Sequence, residues 1–181
     1  AFEINRIQQA VSSRKANKVG ATTKQDSGLT LKQPVVSSET STAAFAVEFA
    51  RLVGRLKRIP RTGWVYRSVP QPESVADHSW RVAALCLLLS NDDEIDLSTC
   101  LALAVIHDMA EAIVGDIAPD DNISRLEKQR LENEAMETII GTLQRAIGNT
   151  NSTSKLSTWF HTYEARESPE AIAVKDLDLL D

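Results

Sequence analysis

The sequence has few of the residues that mark disulfide-stabilised or membrane-spanning proteins. It contains two cysteines among 181 residues, and both Cys86 and Cys100 lie in apolar stretches with helical spacing. A disulfide framework or a cysteine-based metal site is therefore not expected, and a reducing compartment inside the cell fits best. No uninterrupted apolar run reaches the roughly 18 residues that a membrane span needs. We therefore expect no membrane partner.

The charge of the chain argues against a second class of partner. The net charge is −5 at pH 7, so a surface that binds duplex nucleic acid is not expected. Within this acidic chain, the stretch from Phe49 to Pro72 contains no acidic residue. It could hold a small anion, or it could be a solvated basic helix face followed by a basic loop. Its basic residues are Arg51, Arg55, Lys57, Arg58, Arg61 and Arg67.

Residues 1–42 differ in composition from the rest of the chain. They are rich in Ser, Thr, Lys, Gln and Val, with weak periodicity and few aromatic side chains. Such a segment cannot bury enough apolar area to offset the entropy of ordering, so we expect a flexible N-terminal extension. The chain starts with Ala1 rather than Met, so this end could be trimmed. A Ser-rich start with arginine raises a mitochondrial presequence, but Glu3 and Asp26 argue against one, and we expect a cytoplasmic protein.

From residue 42 onward the apolar residues recur with helical spacing. This pattern predicts one all-α domain over residues 43–181, a bundle of about six helices without a useful strand pattern. Ser74 with Asp77 three residues later predicts a capping box, and Ser168 before a proline predicts the start of the last helix. Gly115 predicts a left-handed C-cap at the end of the third helix. The expected helices cover 43–57, 74–89, about 96–115, 124–146, 155–165 and 168–181.

The third predicted helix carries three ionisable side chains within an apolar stretch. His107, Asp108 and Glu111 have spacings that place them on one side of a helix. Buried charge is costly unless it is paired, hydrogen-bonded or bound to a metal. The chain has only three histidines, and His78 also lies in an apolar helix. His161, beside two aromatic residues, is interpreted as a packing or surface residue.

Two imidazoles and two carboxylates would form a neutral site with a divalent ion. Such nitrogen and oxygen donors suit Mn, Co, Fe, Zn or Mg better than a soft metal. Taken singly, each candidate residue also has a simpler interpretation. The His107–Asp108 pair could be a buried ion pair or a capping interaction, His78 a core histidine bonded to backbone, and Asp178 a solvated helix carboxylate.

Together these residues resemble the H…HD…D signature of the HD-domain metal-dependent phosphohydrolases. The match extends further, to Glu73-Ser-Val-Ala-Asp-His78-Ser and to His107-Asp-Met-Ala-Glu-Ala-Ile-Val-Gly-Asp116-Ile-Ala-Pro. These two stretches resemble the HD-domain-containing 5′-deoxynucleotidase subfamily. The resemblance covers about residues 47–181 and implies an enzyme that hydrolyses deoxyribonucleoside 5′-monophosphates to deoxynucleoside and phosphate, as a homodimer with one divalent metal ion per site.

The resemblance also implies a role for individual residues. Glu111 is expected to be the catalytic carboxylate, and Asp116 to help position the attacking water or the sugar. Arg61 and Trp64 match the arginine and tryptophan that hold phosphate and sugar. Asp178 fits the family's final motif better than its neighbours Asp176 and Asp181, which are the alternatives. The expected metal ligands are His78, His107, Asp108 and Asp178.

Two features depart from the family pattern. Thr62 and Gly63 separate Arg61 from Trp64, whereas bacterial members have the two residues adjacent. The chain also stops at Asp181, where relatives continue, so its C-terminal end is expected to be truncated. Two alternatives remain open: the same metal site could act on a cyclic nucleotide, a triphosphate or another phosphomonoester, or the chain could be a catalytically silent helical scaffold.

Overall fold

The protein is described by a computed structural model that covers residues 38–90 and 92–181. Within these residues six α-helices have ten or more residues, and two are short, which confirms the prediction of an all-α bundle. No β-strand forms in the described part of the chain, where Pro60 and Ser74 make one isolated β-bridge. In chain order the helices are α1 (Ser38–Val53), α2 (Thr62–Tyr66), α3 (Val75–Cys86), α4 (Leu97–Ile106), α5 (Glu111–Val114), α6 (Arg125–Ile147), α7 (Asn151–Ala165) and α8 (Pro169–Leu180).

The predicted N-terminal extension falls mostly on residues that the structure does not describe. Residues 1–37 lie outside the described range, and helix α1 begins at Ser38, slightly before the predicted boundary. The extension, its flexibility and any targeting role therefore stay predictions.

The helix starts follow local hydrogen-bonding chemistry. Ser74 caps α3 as predicted: its hydroxyl accepts from the backbone N–H of Asp77 at 3.1 Å, and the Asp77 carboxylate accepts from the backbone N–H of Ser74 at 3.0 Å. The Ser168 hydroxyl accepts from the N–H of Ala171 at 3.2 Å, with Pro169 as the first residue of α8. These caps satisfy backbone N–H groups that have no partner inside the helix.

The prediction of one continuous third helix is wrong. Helix α4 ends at Ile106, residues 107–110 form tight turns, and α5 begins at Glu111. Backbone bonds here span three residues rather than four, for example from the N–H of Glu111 to the carbonyl of Asp108 at 3.0 Å. The tighter winding changes the directions of these side chains relative to a regular α-helix. Gly115 then ends α5 with a positive φ of 76°, but its ψ of 167° is extended and not left-handed helical.

Two other predicted boundaries differ from the structure. The expected loop over residues 60–73 contains the short helix α2, whose start is held by contacts to a loop more than 50 residues away. The expected loop before the seventh helix is shorter, because Thr150 and Thr153 form a reciprocal cap and α7 starts at Asn151. Threonine at the third helical position in place of Glu or Gln hides this cap from the usual sequence pattern.

Two large apolar clusters and a smaller third one hold the helices together. The larger one lies between α1, α6 and α7 and includes Leu131, Ile139 and Phe160, which are almost fully buried. The second one packs α4 against α3 and α8 through Leu103, Val82, Val174 and their neighbours. The three helices of this second cluster also carry the candidate ligand residues, so burial of apolar surface fixes their relative positions.

The stretch from Leu97 to Val114 is long and apolar enough to qualify as a membrane span by length and composition, with a mean hydropathy of 1.6. Burial within the fold covers 61% of it, and the turns at residues 107–110 break its helix. Core packing of α4 accounts for its apolar character.

Helix α6 carries a partly buried ion pair on the side that faces α5. The Lys128 ammonium lies 3.6 Å from the Glu132 carboxylate and donates to the Ile117 carbonyl at 3.0 Å. Burial raises the pKa of Glu132 to about 7, because Lys128 offsets only part of the cost of burying its charge. The carboxyl is therefore partly protonated near neutral pH.

We predict that Leu131→Ala lowers the free energy of unfolding by about 2–5 kcal/mol, because it removes a fully buried side chain and leaves a cavity. Urea unfolding followed by circular dichroism measures the change. The matched control is Leu126→Ala on the same helix, where the leucine is 78% exposed and the expected change is within about 0.5 kcal/mol. Equal losses for the two variants would contradict the described packing of α6.

We also predict a pH-dependent effect of Glu132→Gln. Because the folded protein holds the Glu132 proton more tightly than the unfolded chain does, this carboxyl contributes stability that is complete below the ordinary pKa of 4.5 and is lost as the pH rises through about 7. The free energy of unfolding of the variant, relative to the parent, should therefore rise between about pH 5 and about pH 8. A difference that stays constant over this range, measured by urea unfolding, would contradict the burial of this carboxyl.

Candidate metal centre and active site

Helices α3, α4 and α8 bring two imidazoles and an aspartate together. His78 lies in the second turn of α3, His107 follows the last residue of α4, and Asp178 lies near the end of α8. The Nε2 atoms of the two histidines are 3.2 Å apart. Oδ1 of Asp178 lies 3.0 Å from Nε2 of His78 and 3.9 Å from Nε2 of His107. The predicted convergence of these three residues is therefore present in the fold.

Asp108 adds a fourth acceptor to this group. Its Oδ2 lies 3.1 Å from Nε2 of His107 and 3.6 Å from Nε2 of His78. The cluster thus contains the four predicted ligands, and each carboxylate lies within 3.9 Å of both imidazole Nε2 atoms.

The second nitrogen of each imidazole has its own acceptor. Nδ1 of His78 lies 2.6 Å from Oδ2 of Asp181, and Nδ1 of His107 lies 2.8 Å from the carbonyl oxygen of Ala104. A carbonyl can only accept, so Nδ1 of His107 donates and its Nε2 carries a lone pair when the ring is neutral. The carboxylate favours the same tautomer in His78. This arrangement is typical of metal-binding histidines, whose non-ligating N–H is held by a carboxylate or a carbonyl.

The donor set fits a divalent metal ion. Two lone pairs and two carboxylate oxygens face one another, an arrangement that is unfavourable without a cation between them. Donors about 2.1 Å from a shared ion lie about 3.0–3.4 Å apart in octahedral or tetrahedral coordination. Three of the five separations given above, 3.0, 3.1 and 3.2 Å, lie in this range, and the other two, 3.6 and 3.9 Å, are longer. Nitrogen and oxygen donors in this combination suit several divalent metals, and the geometry does not select one of them.

Asp178 is fixed by partners on its own side of the bundle. The Tyr163 hydroxyl donates to its Oδ2 at 2.8 Å, and the Lys175 ammonium lies 2.7 Å from the same oxygen. Burial raises the pKa of Asp178, but contacts with His78, His107 and Lys175 outweigh it, so the pKa lies below the ordinary value. Asp178 is therefore charged and oriented. Its neighbour Asp176 points to the exposed side of α8.

Glu111 is a buried carboxylate with an unused oxygen. Its residue is 3% exposed, and its Oε2 has no hydrogen-bond partner in the described part of the chain. Burial raises the pKa of Glu111 well above its ordinary value, and the nearby carboxylates of Asp108 and Asp116 add to this effect. The positive charges of Lys128 and Arg61 lower the pKa of Glu111, but by less than burial raises it. A carboxyl group in this setting can take up or release a proton near neutral pH.

Arg61 lies beside the cluster, on the segment before α2. Its Nη1 is 3.2 Å from Oδ2 of Asp108, and its side chain is 25% exposed. The guanidinium therefore reaches the carboxylate cluster from the side that faces solvent. Arg67, in the same segment, instead donates to the carbonyl of Gly63 at 3.1 Å.

Asp116 holds this segment in place. Its Oδ2 accepts from the backbone N–H of Thr62 at 2.5 Å, and its own carbonyl accepts from the Thr62 hydroxyl at 2.8 Å. In the structure its carboxylate anchors the loop that carries Arg61, and the predicted role of Asp116 in positioning water or sugar stays a prediction. Thr62, one of the two residues that separate Arg61 from Trp64, is the partner in this contact.

Trp64 lies in helix α2 and is 39% exposed. Its indole N–H donates to Oε1 of Glu73 at 3.3 Å. The ring is thus positioned at the rim of the loop, next to the start of α3. The predicted role of Trp64 against a sugar or base stays a prediction.

The sequence did not predict the contacts of Arg81, and it offered Asp181 only as an alternative metal ligand. Arg81 pairs with both Glu73 and Asp181, and Asp181, considered above as an alternative ligand, faces Nδ1 of His78 instead of the cluster at Nε2. Both residues lie three positions after a candidate ligand on the same helix, Arg81 after His78 and Asp181 after Asp178. That spacing is the signal that could have identified them.

The remaining histidine lies outside the cluster. His161 is exposed on α7, and its ring packs edge-on against Phe160 with 5.6 Å between the centroids. This placement agrees with its interpretation as a packing or surface residue.

Comparison with known proteins identifies the family. The profile of the HD domain matches residues 53–181. The 5′-deoxynucleotidase HDDC2 of Homo sapiens is 48% identical over 132 residues, which are 73% of this chain and 62% of that protein. The HDDC2 protein of Danio rerio is 46% identical over 135 residues, which are 75% of this chain and 64% of that protein. The chain thus spans slightly less than two thirds of the length of these relatives.

A solved structure shares the fold. A protein from Magnetospirillum magnetotacticum, described as a predicted metal-dependent phosphohydrolase, superposes with a TM-score of 0.63 and 26% sequence identity over 80% of this chain and 70% of that chain. With the profile match, the identity to curated relatives and the clustered histidines and aspartates, this chain belongs to the HD domain family.

Proposed function

We propose that this protein hydrolyses deoxyribonucleoside 5′-monophosphates to deoxynucleoside and phosphate. The observation that carries the proposal is the cluster of His78, His107 and Asp178, joined by Asp108, beside Glu111, whose buried Oε2 has no hydrogen-bond partner among the described residues. A carboxylate with a purely structural role would be paired, so the site favours an active enzyme over a silent scaffold. Relatives that match most of this chain are named 5′-deoxynucleotidases, which supports the substrate class.

A divalent ion bound by His78, His107, Asp108 and Asp178 would polarise a phosphoryl oxygen and lower the pKa of a water molecule. Mn, Co, Fe, Zn and Mg all remain compatible with these donors. The two Nδ1 contacts, to Asp181 and to the Ala104 carbonyl, hold both imidazoles in the orientation that ligation requires.

The chain's own residues supply the remaining chemistry. Glu111 acts as general acid or base: it takes the proton of the attacking water or gives a proton to the 5′-oxygen as the P–O bond breaks. Arg61 binds the phosphate through charge-assisted hydrogen bonds and balances the charge that develops on its oxygens. Asp116, through Thr62, holds the segment that carries Arg61. Trp64 lies against the sugar or base from the rim.

A homodimer, a cytoplasmic location and the absence of membrane and nucleic-acid partners complete the proposal, and each stays a prediction.

A phosphate-release assay tests the substrate class. It uses deoxyribonucleotide and ribonucleotide monophosphates, a deoxynucleoside triphosphate and a cyclic nucleotide, each with Mn²⁺, Co²⁺ or Mg²⁺. Turnover of the triphosphate or the cyclic nucleotide in preference to every 5′-monophosphate would contradict the proposal.

We predict that Glu111→Gln lowers kcat by about 100- to 10,000-fold, because it removes the group that moves the proton. Metal affinity, measured by calorimetry on the metal-free protein, should be unchanged, since Glu111 is not among the proposed ligands. Glu137→Gln, at an exposed position on α6, is the matched control and should keep the parental rate. A Glu111→Gln variant with parental kcat would remove Glu111 from the mechanism.

We predict that Arg61→Met raises KM about 10- to 150-fold, the cost of losing hydrogen bonds to a charged group. Steady-state kinetics measure KM, and calorimetry with the metal alone shows whether the loss of the contact to Asp108 disturbs the ligand cluster. The control is Arg58→Met, which changes an exposed arginine of the same basic segment and should leave KM unchanged. An unchanged KM for Arg61→Met, with normal metal binding, would exclude Arg61 from the phosphate site.

A further inference from the structure

A continuous row of polar side chains connects the metal cluster with the loop at its rim. It starts at His78, whose Nδ1 lies 2.6 Å from Asp181. Asp181 pairs with Arg81, including a bond of 2.9 Å from Nη2 to Oδ2. Arg81 also pairs with Glu73, and Glu73 accepts from the indole N–H of Trp64 at 3.3 Å. The row thus runs from a candidate ligand to a candidate substrate contact.

The guanidinium of Arg81 occupies the centre of this row. Glu73, His78 and Asp181 form a second group whose donor atoms are close enough to bind a metal ion. Arg81 already supplies a positive charge to both carboxylates of that group. One protein cation therefore pairs with both carboxylates of this group, whereas in the cluster on the Nε2 side of His78 the carboxylates of Asp108 and Asp178 pair with two separate cations, Arg61 and Lys175.

The contact between His78 and Asp181 is buried, whereas the Arg81 side chain that pairs with Asp181 is exposed. The side chains of His78 and Asp181 are 1% and 4% exposed, whereas that of Arg81 is 46% exposed. A carboxylate on Nδ1 fixes the imidazole tautomer, holds the ring plane and makes Nε2 a better donor to a metal. Arg81, in turn, keeps the Asp181 carboxylate charged and turned toward the ring.

We propose that Asp181, held by Arg81, is a positioning residue for the ligating nitrogen of His78, and that Arg81 and Glu73 tie Trp64 to the same unit. This inference rests on the proposed metal centre and extends it to residues outside the ligand set. Asp181 does not touch the ion, and Arg81 does not touch the substrate. Their effect passes through His78 on one side and through Trp64 on the other.

The experiment is a calorimetric titration of the metal-free protein with Co²⁺, together with the visible absorption spectrum of the Co²⁺ complex. Asp181→Ala is expected to weaken Co²⁺ binding about 10- to 100-fold, the usual effect of removing such a partner, and to change the spectrum. Asp181→Asn should recover part of the affinity, because its amide oxygen can still accept from Nδ1. Arg81→Met should weaken binding in the same direction by a smaller factor.

The matched control is Arg130→Met. Arg130 is 47% exposed and pairs with two glutamates on α6, so it resembles Arg81 in exposure and in number of partners but lies away from His78. This variant should bind Co²⁺ like the parent. Parental affinity in Asp181→Ala would overturn the role of Asp181, and parental affinity in Arg81→Met would overturn that of Arg81. Binding of two Co²⁺ ions per chain would show that the second group holds a metal and would also overturn the proposal.

Glu73→Leu tests the other end of the row, because a leucine side chain cannot accept the hydrogen bond of the Trp64 indole. It leaves the pairing of His78 with Asp181 in place, so Co²⁺ affinity should stay within about twofold, a small change for a group one step beyond the ligand's partner. Release of Trp64 should raise KM severalfold with little change in kcat. A parental KM in this variant would remove Trp64 from the proposed unit.

A measurement on the unmodified protein keeps the proposal testable if Asp181→Ala does not fold. Nitrogen-15 NMR of the imidazoles reports which nitrogen carries the proton, and His78 is expected to be protonated at Nδ1 in the Zn²⁺-loaded protein. Protonation at Nε2 would overturn the inference. The Co²⁺ titrations and the NMR spectrum do not depend on turnover, so a protein that binds metal as expected but hydrolyses no nucleotide would contradict the proposed function alone.

Discussion

The Nε2 atoms of His78 and His107 lie 3.2 Å apart, and carboxylate oxygens of Asp108 and Asp178 lie within 3.9 Å of one or both of them. Arg61 and Lys175 each pair with one of these carboxylates from outside the cluster, and a divalent ion between the donors would balance the charge that remains. The fold can hold these polar groups close together because apolar contacts between the same helices stabilise the folded state. The cluster of α3, α4 and α8 around Leu103 supplies those contacts directly beside the site.

Each acceptor is held by a partner of a different kind. His107 uses a backbone carbonyl, His78 a carboxylate at the end of α8, and Asp178 a tyrosine and a lysine. The site is thus oriented by its surroundings before any ligand binds. Preorganisation of this kind lowers the cost of binding and is a general property of catalytic sites. Glu111 differs from its neighbours, because its Oε2 has no hydrogen-bond partner within residues 38–90 and 92–181.

Local patterns in the sequence predicted most of the long helices, two of their caps and the residues that meet in the cluster. Ser74 and Asp77 cap their helix as expected, because the capping box depends on residues three positions apart. The turns after Ile106 could not be predicted, since the spacing of His107 and Glu111 fits an α-helix equally well. Contacts such as Thr62 with Asp116 and Arg81 with Asp181 join residues 54 and 100 positions apart, and no local pattern reports them. The roles assigned to the site residues stay predictions.

The segment between the 3₁₀ helix Gly54–Arg58 and α3 is held together at its base by two backbone hydrogen bonds. The backbone N–H of Arg61 bonds to the carbonyl of Glu73 at 2.9 Å, and that of Val75 bonds to the carbonyl of Ile59 at the same distance. Because these two hydrogen bonds join the ends of the segment, its middle can change in sequence or length without moving the helix that follows. Changes of length or side chain between residues 63 and 72 would therefore leave His78 where it is. Under the proposed function, substitutions in this segment would change substrate selectivity, while the positions of the metal ligands and of Glu111 would stay the same.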